Sequence, residues 1–206
     1  MKRFIVRTVD ILFPPSERLM RIRTGIANES FSTMEPFDRN GVTILFPYKT
    51  ALIKDIVIES KTTGNREAIT VLAQQLSDYI MELVAEETVF NGKKVIITCV
   101  PTHSKKVRSR GFNHLKDVLN TMNVSGIDIK PEALTALRIT EDQVGKTKTE
   151  RELNIKDAFK ADEKVVRDAV VIVIDDVTTT GATLVEATRA LRQSDARKVI
   201  PLAFAG

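Results

Sequence analysis

The chain has 206 residues, of which 43% are hydrophobic and 28% charged; this suits one folded domain with a sizeable core and excludes extensive disorder. A formal net charge of +4 favours phosphate-bearing ligands or nucleic acid as partners. Cys99 is the single cysteine, which excludes an intrachain disulfide and a cysteine-based zinc site and fits a reducing cytoplasm.

The N-terminus, MKRFIVRTVDILFPP, begins with basic residues, but Arg7 and Asp10 interrupt its apolar run, so it makes a poor signal peptide. No segment approaches the roughly 20 apolar residues of a membrane span, and a soluble cytoplasmic protein is expected. Residues 1–48 read as irregular, with Pro14, Pro15, Pro36 and Pro47 as breakers, and form an appendage, or hood, to a main domain at 49–206. From Arg66 to about Glu87, Ile69, Leu72, Ala73, Leu76, Ile80, Leu83 and Val84 recur at helical spacing and predict a long amphipathic helix.

Asn91 and Gly92 end that helix, and KVIITCV (94–100) follows as a buried strand. A helix is predicted over 112–122 and a second strand over 133–139. A polar stretch of about 30 residues leads to VVIVI (170–174), the most strand-like run. Leu184, Ala187, Thr188 and Leu191 mark a closing helix, and KVIPLAF (198–204) is the last strand. Strands alternating with helices predict an α/β fold with a mainly parallel twisted sheet flanked by helices.

The segment VVIVIDDVTTTGATL (170–184) carries the clearest chemistry. In parallel sheets ligands bind beyond the carboxyl ends of strands, where Asp175 and Asp176 fall. The turn Thr178 to Thr183 opens a helix, and a helix N-terminus with its free N–H groups suits a phosphate dianion. Gly181 is expected to let the backbone approach the ligand. The carboxylates suit sugar hydroxyls, or Mg²⁺ with its waters. Together the two halves describe a ribose 5-phosphate. A strand ending in solvated aspartates with a threonine cap accounts for one Asp and one Thr, not for the whole string. Gly145-Lys146-Thr147 lacks the glycine and strand of a P-loop.

This segment closely resembles the phosphoribosyl pyrophosphate (PRPP) signature of type I phosphoribosyltransferases, whose fold is Rossmann-like. The resemblance implies that Asp175 and Asp176 face the ribose hydroxyls, directly or through Mg²⁺ and water. It also implies that Thr178, Thr179, Thr180, Gly181, Ala182 and Thr183 wrap the 5-phosphate. Residues 101–116, PTHSKKVRSRGFNHLK, follow strand 94–100 with five cations and no carboxylate, at the same sheet edge. Such a cluster can neutralise a pyrophosphate leaving group. Thr102, His103, Ser104, Lys105, Lys106, Arg108 and Arg110 are its candidate ligands, and Asp175, Asp176, Lys105 and Arg108 the candidate catalytic residues. His103 and His114 do not make a metal pair, and His114 reads as a helix-face residue.

VPTHSKKVRSRGFN and RITEDQVGKTKTERELNIKDAFK further resemble the ComF family, with Arg110, Gly111, Phe112 and Asn113, then Arg138, Thr140, Gln143, Glu150, Arg151, Asn154, Ala158 and Phe159 at matching positions. Tyr48-Lys49 through Lys61, Gly64 and Glu67 is a looser match. In type I enzymes the segment before the PRPP strand supplies a mobile loop, which places Gln143, Lys146 and Arg151 in a lid that excludes water. Many ComF-like proteins follow Leu-Phe-Pro-Pro with a four-cysteine zinc ribbon; here Ser16 follows Pro15 and the ribbon is absent. Thr179 stands where purine-salvage relatives carry an acid near the incoming base, so the acceptor remains an unidentified nucleophile.

The resulting expectation is a Mg²⁺-dependent transferase in nucleotide metabolism that moves phosphoribosyl from PRPP to that acceptor. The alternatives are a non-enzymatic competence adaptor that binds PRPP or single-stranded DNA alongside the DNA-uptake machinery, and a relic that binds PRPP without turnover. A homodimer is compatible with either; a membrane is not expected.

Overall fold

A computed structural model describes residues 15–28, 31, 33–86, 90, 92–102, 104–137 and 155–206, with the backbone alone for 104–106. Helix α1 (Glu17–Ala27) is followed by strands β1 (Phe37–Arg39) and β2 (Val42–Phe46), then helices α2 (Ala51–Thr62) and α3 (Arg66–Glu86). Strand β3 (Val95–Cys99), helices α4 (Ser104–Arg110) and α5 (His114–Thr121) and strand β4 (Asp128–Ile129) come next. A 3₁₀ turn (Pro131–Ala133) leads to β5 (Leu134–Ala136), and after it come β6 (Phe159–Ala161), α6 (Glu163–Val166), β7 (Val170–Val177), α7 (Ala182–Gln193) and β8 (Lys198–Ala205).

The main sheet has six strands in the order β1-β2-β8-β7-β3-β4, parallel except for the β1–β2 hairpin. This is the expected α/β architecture. Val170 to Ile174 are all fully buried and paired on both sides, with Ile172 opposite Ile97 of β3 and Ile200 of β8. A strand buried on both faces has no polar side, which is why its sequence runs apolar without alternation. One core lies toward α2, α3 and α5, with Leu72, Leu76 and Ile80 from α3; the other lies under α7, with Leu184, Ala187 and Leu191.

Several expectations are corrected. The described part of the stretch read as irregular holds α1 and a hairpin whose second strand pairs with β8, Ile44 opposite Ala203, so residues 37–46 belong to the main sheet. Asn40 and Gly41 turn the hairpin with φ of 56° and 75°, the geometry that matches strand twist. The strand predicted at 133–139 is shorter and lies elsewhere: β5 pairs antiparallel with β6 in a separate two-stranded ribbon. The edge strand β4 escaped notice because only two residues pair. Residues 104–110, expected as a basic loop, form helix α4; with Val107 as its single apolar residue, the segment has no stripe to read.

The predicted helices at 66–87, 112–122 and 184–191 correspond to α3, α5 and α7. No described helix is long and apolar enough to cross a membrane.

Candidate functional site

Strand β7 extends past Ile174 through Asp175, Asp176 and Val177, so the two carboxylates lie within the strand rather than beyond it. Asp176 is 3% exposed. Its Oδ2 meets Lys61 Nζ of α2 at 2.7 Å and His114 Nε2 of α5 at 2.5 Å, while Oδ1 accepts the Val177 N–H. Burial by itself would raise the Asp176 pKa, but the His114 hydrogen bond and the Lys61 charge outweigh it and hold the carboxyl well below the usual range. Burial likewise opposes the Lys61 charge, and the attraction of Asp176 reverses that and raises its pKa.

Asp175 has a different environment. It is half-buried, its Oδ1 accepts the Asp176 N–H at 2.9 Å, and no described cation pairs with it. Burial first, and the adjacent Asp176 charge second, push its pKa up to about 7. Neighbouring carboxyls with opposite shifts are a functional-site signature. The pair therefore divides its work: Asp176 is saturated by protein partners, and Asp175 keeps an open side.

The loop after β7 is preorganised from within. The Thr178 N–H donates to Ala205 O at 2.8 Å, the Gly181 N–H to Thr178 Oγ1 at 3.1 Å and the Ala182 N–H to Thr180 Oγ1 at 3.4 Å. The threonine hydroxyls thus set the loop's curvature rather than only awaiting a ligand. Gly181 caps α7 with φ of 82°, and a methyl there would touch Val42 Cγ2 at 3.4 Å. The left-handed backbone is by itself a reason for glycine at this position. The β1–β2 turn braces this loop from outside: Asn40 Nδ2 donates to Thr180 O at 3.2 Å and Arg39 Nη1 to Thr179 O at 3.5 Å.

At the end of β3, Asn113 caps α5 by accepting the Lys116 N–H at 3.4 Å, and it also accepts from Thr102 Oγ1 at 3.3 Å. The Phe112 ring lies over Gly64, where a methyl would approach it to 3.1 Å. Arg110 Nη1 is buried with no hydrogen-bond partner among the described residues, and Arg108 is exposed. A cavity of about 830 Å³ opens between this segment and β5, lined by Thr102, Arg108, Asn113, Lys116 and Leu134; Lys116 pairs with Glu132 there. Cys99 also lines it, and burial pushes its thiol up to about 12, which makes it inert.

The structure brings together Asp175, Asp176 and the 178–183 loop at one sheet edge, with Thr102, Arg108 and Arg110 on the neighbouring strand's exit. His103, Gln143, Lys146 and Arg151 lie outside the described residues, as do the side chains of Ser104, Lys105 and Lys106. His114, read as a helix-face residue, is the first residue of α5; it is 3% exposed and faces Asp176, a contact the sequence did not reveal. Sequence reasoning gave no site role to Lys61, Arg39 or Asn40, because each reaches the site from an element remote in the chain. Among the described residues no three metal-ligating side chains cluster. Of the two β7 carboxylates, Asp176 is already paired and Asp175 is the one open to a divalent cation; a single carboxylate fits Mg²⁺ that keeps most of its other ligands from water or a bound anion.

A family model described as phosphoribosyl transferase domain matches residues 65–205. Among solved structures, a hypoxanthine phosphoribosyltransferase from Staphylococcus aureus is similar at 13% identity and a TM-score of 0.37, over 66% of this chain and 61% of that one. A glutamine phosphoribosylpyrophosphate amidotransferase from B. subtilis is similar at 18% identity and a TM-score of 0.38, over 69% and 29%. A phosphoribosyltransferase from Corynebacterium diphtheriae is similar at 16% identity and a TM-score of 0.36, over 74% and 80%. The chain thus spans less than two thirds of the first two proteins. No curated protein matches it.

Proposed function

The chain belongs to the phosphoribosyl transferase domain family, and from that premise we propose that it is a PRPP-dependent phosphoribosyltransferase of the ComF-like type, acting on a small nucleophilic acceptor. The observation that carries the reading is the split carboxylate pair at the end of β7, with an internally bonded Thr/Gly loop on one side and a cation-bearing segment on the other. One ligand with a phosphate at one end, sugar hydroxyls in the middle and a second anionic group at the other end satisfies all three.

On this reading the 5-phosphate lies in the 178–183 loop, against backbone N–H groups of the α7 N-terminus. Asp175 faces the ribose hydroxyls. The pyrophosphate extends toward Thr102, Arg108 and Arg110, with Lys105 and Lys106 in the same segment. Mg²⁺ bound to PRPP would rest against Asp175 and offset the charge of the pyrophosphate. As the acceptor forms its bond to the anomeric carbon, the bond to the pyrophosphate oxygen breaks and its electron pair leaves with that oxygen. The chain's own contribution is to hold the two reacting centres in line and to face the departing charge with cations. Gln143, Lys146 and Arg151 are assigned to a segment that closes over the donor, and residues preceding β1 to a hood.

A pyrophosphate-release assay across ammonia, small amines and nucleobases tests this. Release that requires PRPP and an acceptor, and that falls at least about a hundredfold in Asp175→Asn, supports transfer. Binding of PRPP with no release against any acceptor supports the ligand-binding relic instead. DNA affinity that depends on Arg108 but ignores PRPP supports the adaptor.

A further inference from the structure

Lys61 lies outside the span matched by the family model, 65–205, yet its ammonium meets the buried carboxylate of Asp176 at 2.7 Å. Taking the donor to be PRPP, we propose that the Lys61 ammonium is a direct ligand of its pyrophosphate group, with Asp176 and His114 as positioning residues that aim it.

Three observations converge on this. First, an ammonium has three donors, and the described partner of Lys61 is Asp176 Oδ2 alone, at 2.7 Å; the side chain keeps 36% exposure, so donors remain for a ligand. Asp176 in turn is immobilised from the other side by His114, itself 3% exposed, which fixes where the ammonium can sit. Second, Arg110 is close enough for its charge to oppose that of Lys61, and its Nη1 is buried with no partner among the described residues. Two neighbouring cations with an unmet buried donor between them make an arrangement that costs stability until an anion arrives.

Third, the placement suits the far end of the donor. The 178–183 loop is tied to β8 and to the β1–β2 turn through Ala205 and Asn40. Lys61 instead leaves the end of α2 three residues before Gly64, which lies under Phe112 in the segment that follows Arg110. The two anion-binding features therefore flank the carboxylates from opposite sides, as a phosphate and a pyrophosphate flank a ribose. A purely structural Lys61, present only to neutralise Asp176, would not discriminate between the ends of the ligand.

Titration calorimetry with inorganic pyrophosphate and, separately, ribose 5-phosphate resolves the two roles. Lys61→Met is expected to weaken pyrophosphate by at least about tenfold, the loss of one charge-assisted hydrogen bond, while ribose 5-phosphate changes by less than about threefold; Lys61→Arg recovers most of the loss. Equal loss of both ligands, or no loss of pyrophosphate, overturns the inference. Because Lys61→Met leaves Asp176 short of a partner and can unfold, a second measurement uses the wild type: acetylation of Lys61 followed by peptide mass spectrometry. Protection by pyrophosphate but not by ribose 5-phosphate is expected, and absence of protection overturns the proposal. If pyrophosphate protects Lys61 while PRPP is never consumed, the transferase reading fails and the anion site stands; if PRPP is consumed and Lys61→Met is indifferent, the reverse holds.

Discussion

The stretch from Val170 to Leu184 and the stretch from Ser16 to Asn65 meet at the same site by opposite means. In the first, strand, carboxylates, phosphate-type loop and helix start follow one another without interruption, so each piece positions the next through the backbone. In the second, single side chains arrive from separate elements: Asn40 from a hairpin turn and Lys61 from the end of α2. The contrast shows that a contiguous strand–loop–helix segment is braced and charge-balanced by single side chains whose own stretch carries only a loose sequence signal. The family match reflects this, since it begins at residue 65.

The largest test of this division cuts the link between the two stretches. Asp176→Ala strands Lys61 and His114 without their shared partner, and a loss of about 3 kcal/mol in urea unfolding is expected from breaking a buried pair; Asp176→Asn should lose less, since it keeps one acceptor. A change below about 0.5 kcal/mol would show that the N-terminal stretch does not depend on Asp176. Within the motif itself, Gly181→Ala forces a methyl into φ of 82°, and should cost about 1–2 kcal/mol with weaker PRPP binding. Full retention of both would remove the backbone argument.

The two carboxyls should respond to pH with opposite sign. Asp176, held below its ordinary value, contributes stability above the unfolded value of 3.8 that is lost as pH falls through its folded value. Asp175, raised to about 7, contributes stability that is full below 3.8 and lost as pH rises through about 7. Asp175→Asn should therefore be the more stable protein at pH 8 by on the order of 1 kcal/mol, with the advantage shrinking toward pH 4, while its PRPP binding falls. An advantage independent of pH would contradict the raised value. The smallest effect belongs to the hairpin brace: Asn40→Gly, which keeps the left-handed turn, removes one exposed hydrogen bond to Thr180 O, worth about 0.5 kcal/mol, and should weaken ribose 5-phosphate more than pyrophosphate.

Legibility in the sequence follows the same line. The strands β3, β7 and β8 and the helices α3 and α7 declare themselves through uninterrupted apolar runs or one clear stripe, because burial on both faces, or along one stripe, dictates residue type at every position. Helix α1 does not, since only Ile22 and Gly25 are buried along it and ion pairs supply much of the rest of its attachment: Arg21 Nε meets Asp55 Oδ2 at 2.6 Å and Arg23 Nη2 meets Glu67 Oε1 at 2.6 Å. Ser16 caps it, its hydroxyl accepting the Leu19 N–H. Strand β5 misled because a short apolar run looks alike in a main sheet and in a separate ribbon. His114 and Asp176 lie 62 residues apart, and no local pattern marks their contact.

The central claim is that the end of β7 is a PRPP site whose carboxylates have separate tasks. Titration calorimetry with PRPP and Mg²⁺ on the wild type, Asp175→Asn and Asp176→Asn tests it most directly. One site per chain is predicted for the wild type, with Asp175→Asn losing affinity at unchanged stability or better, and Asp176→Asn losing affinity together with stability. No heat from the wild type, or two variants that behave alike, would contradict the account.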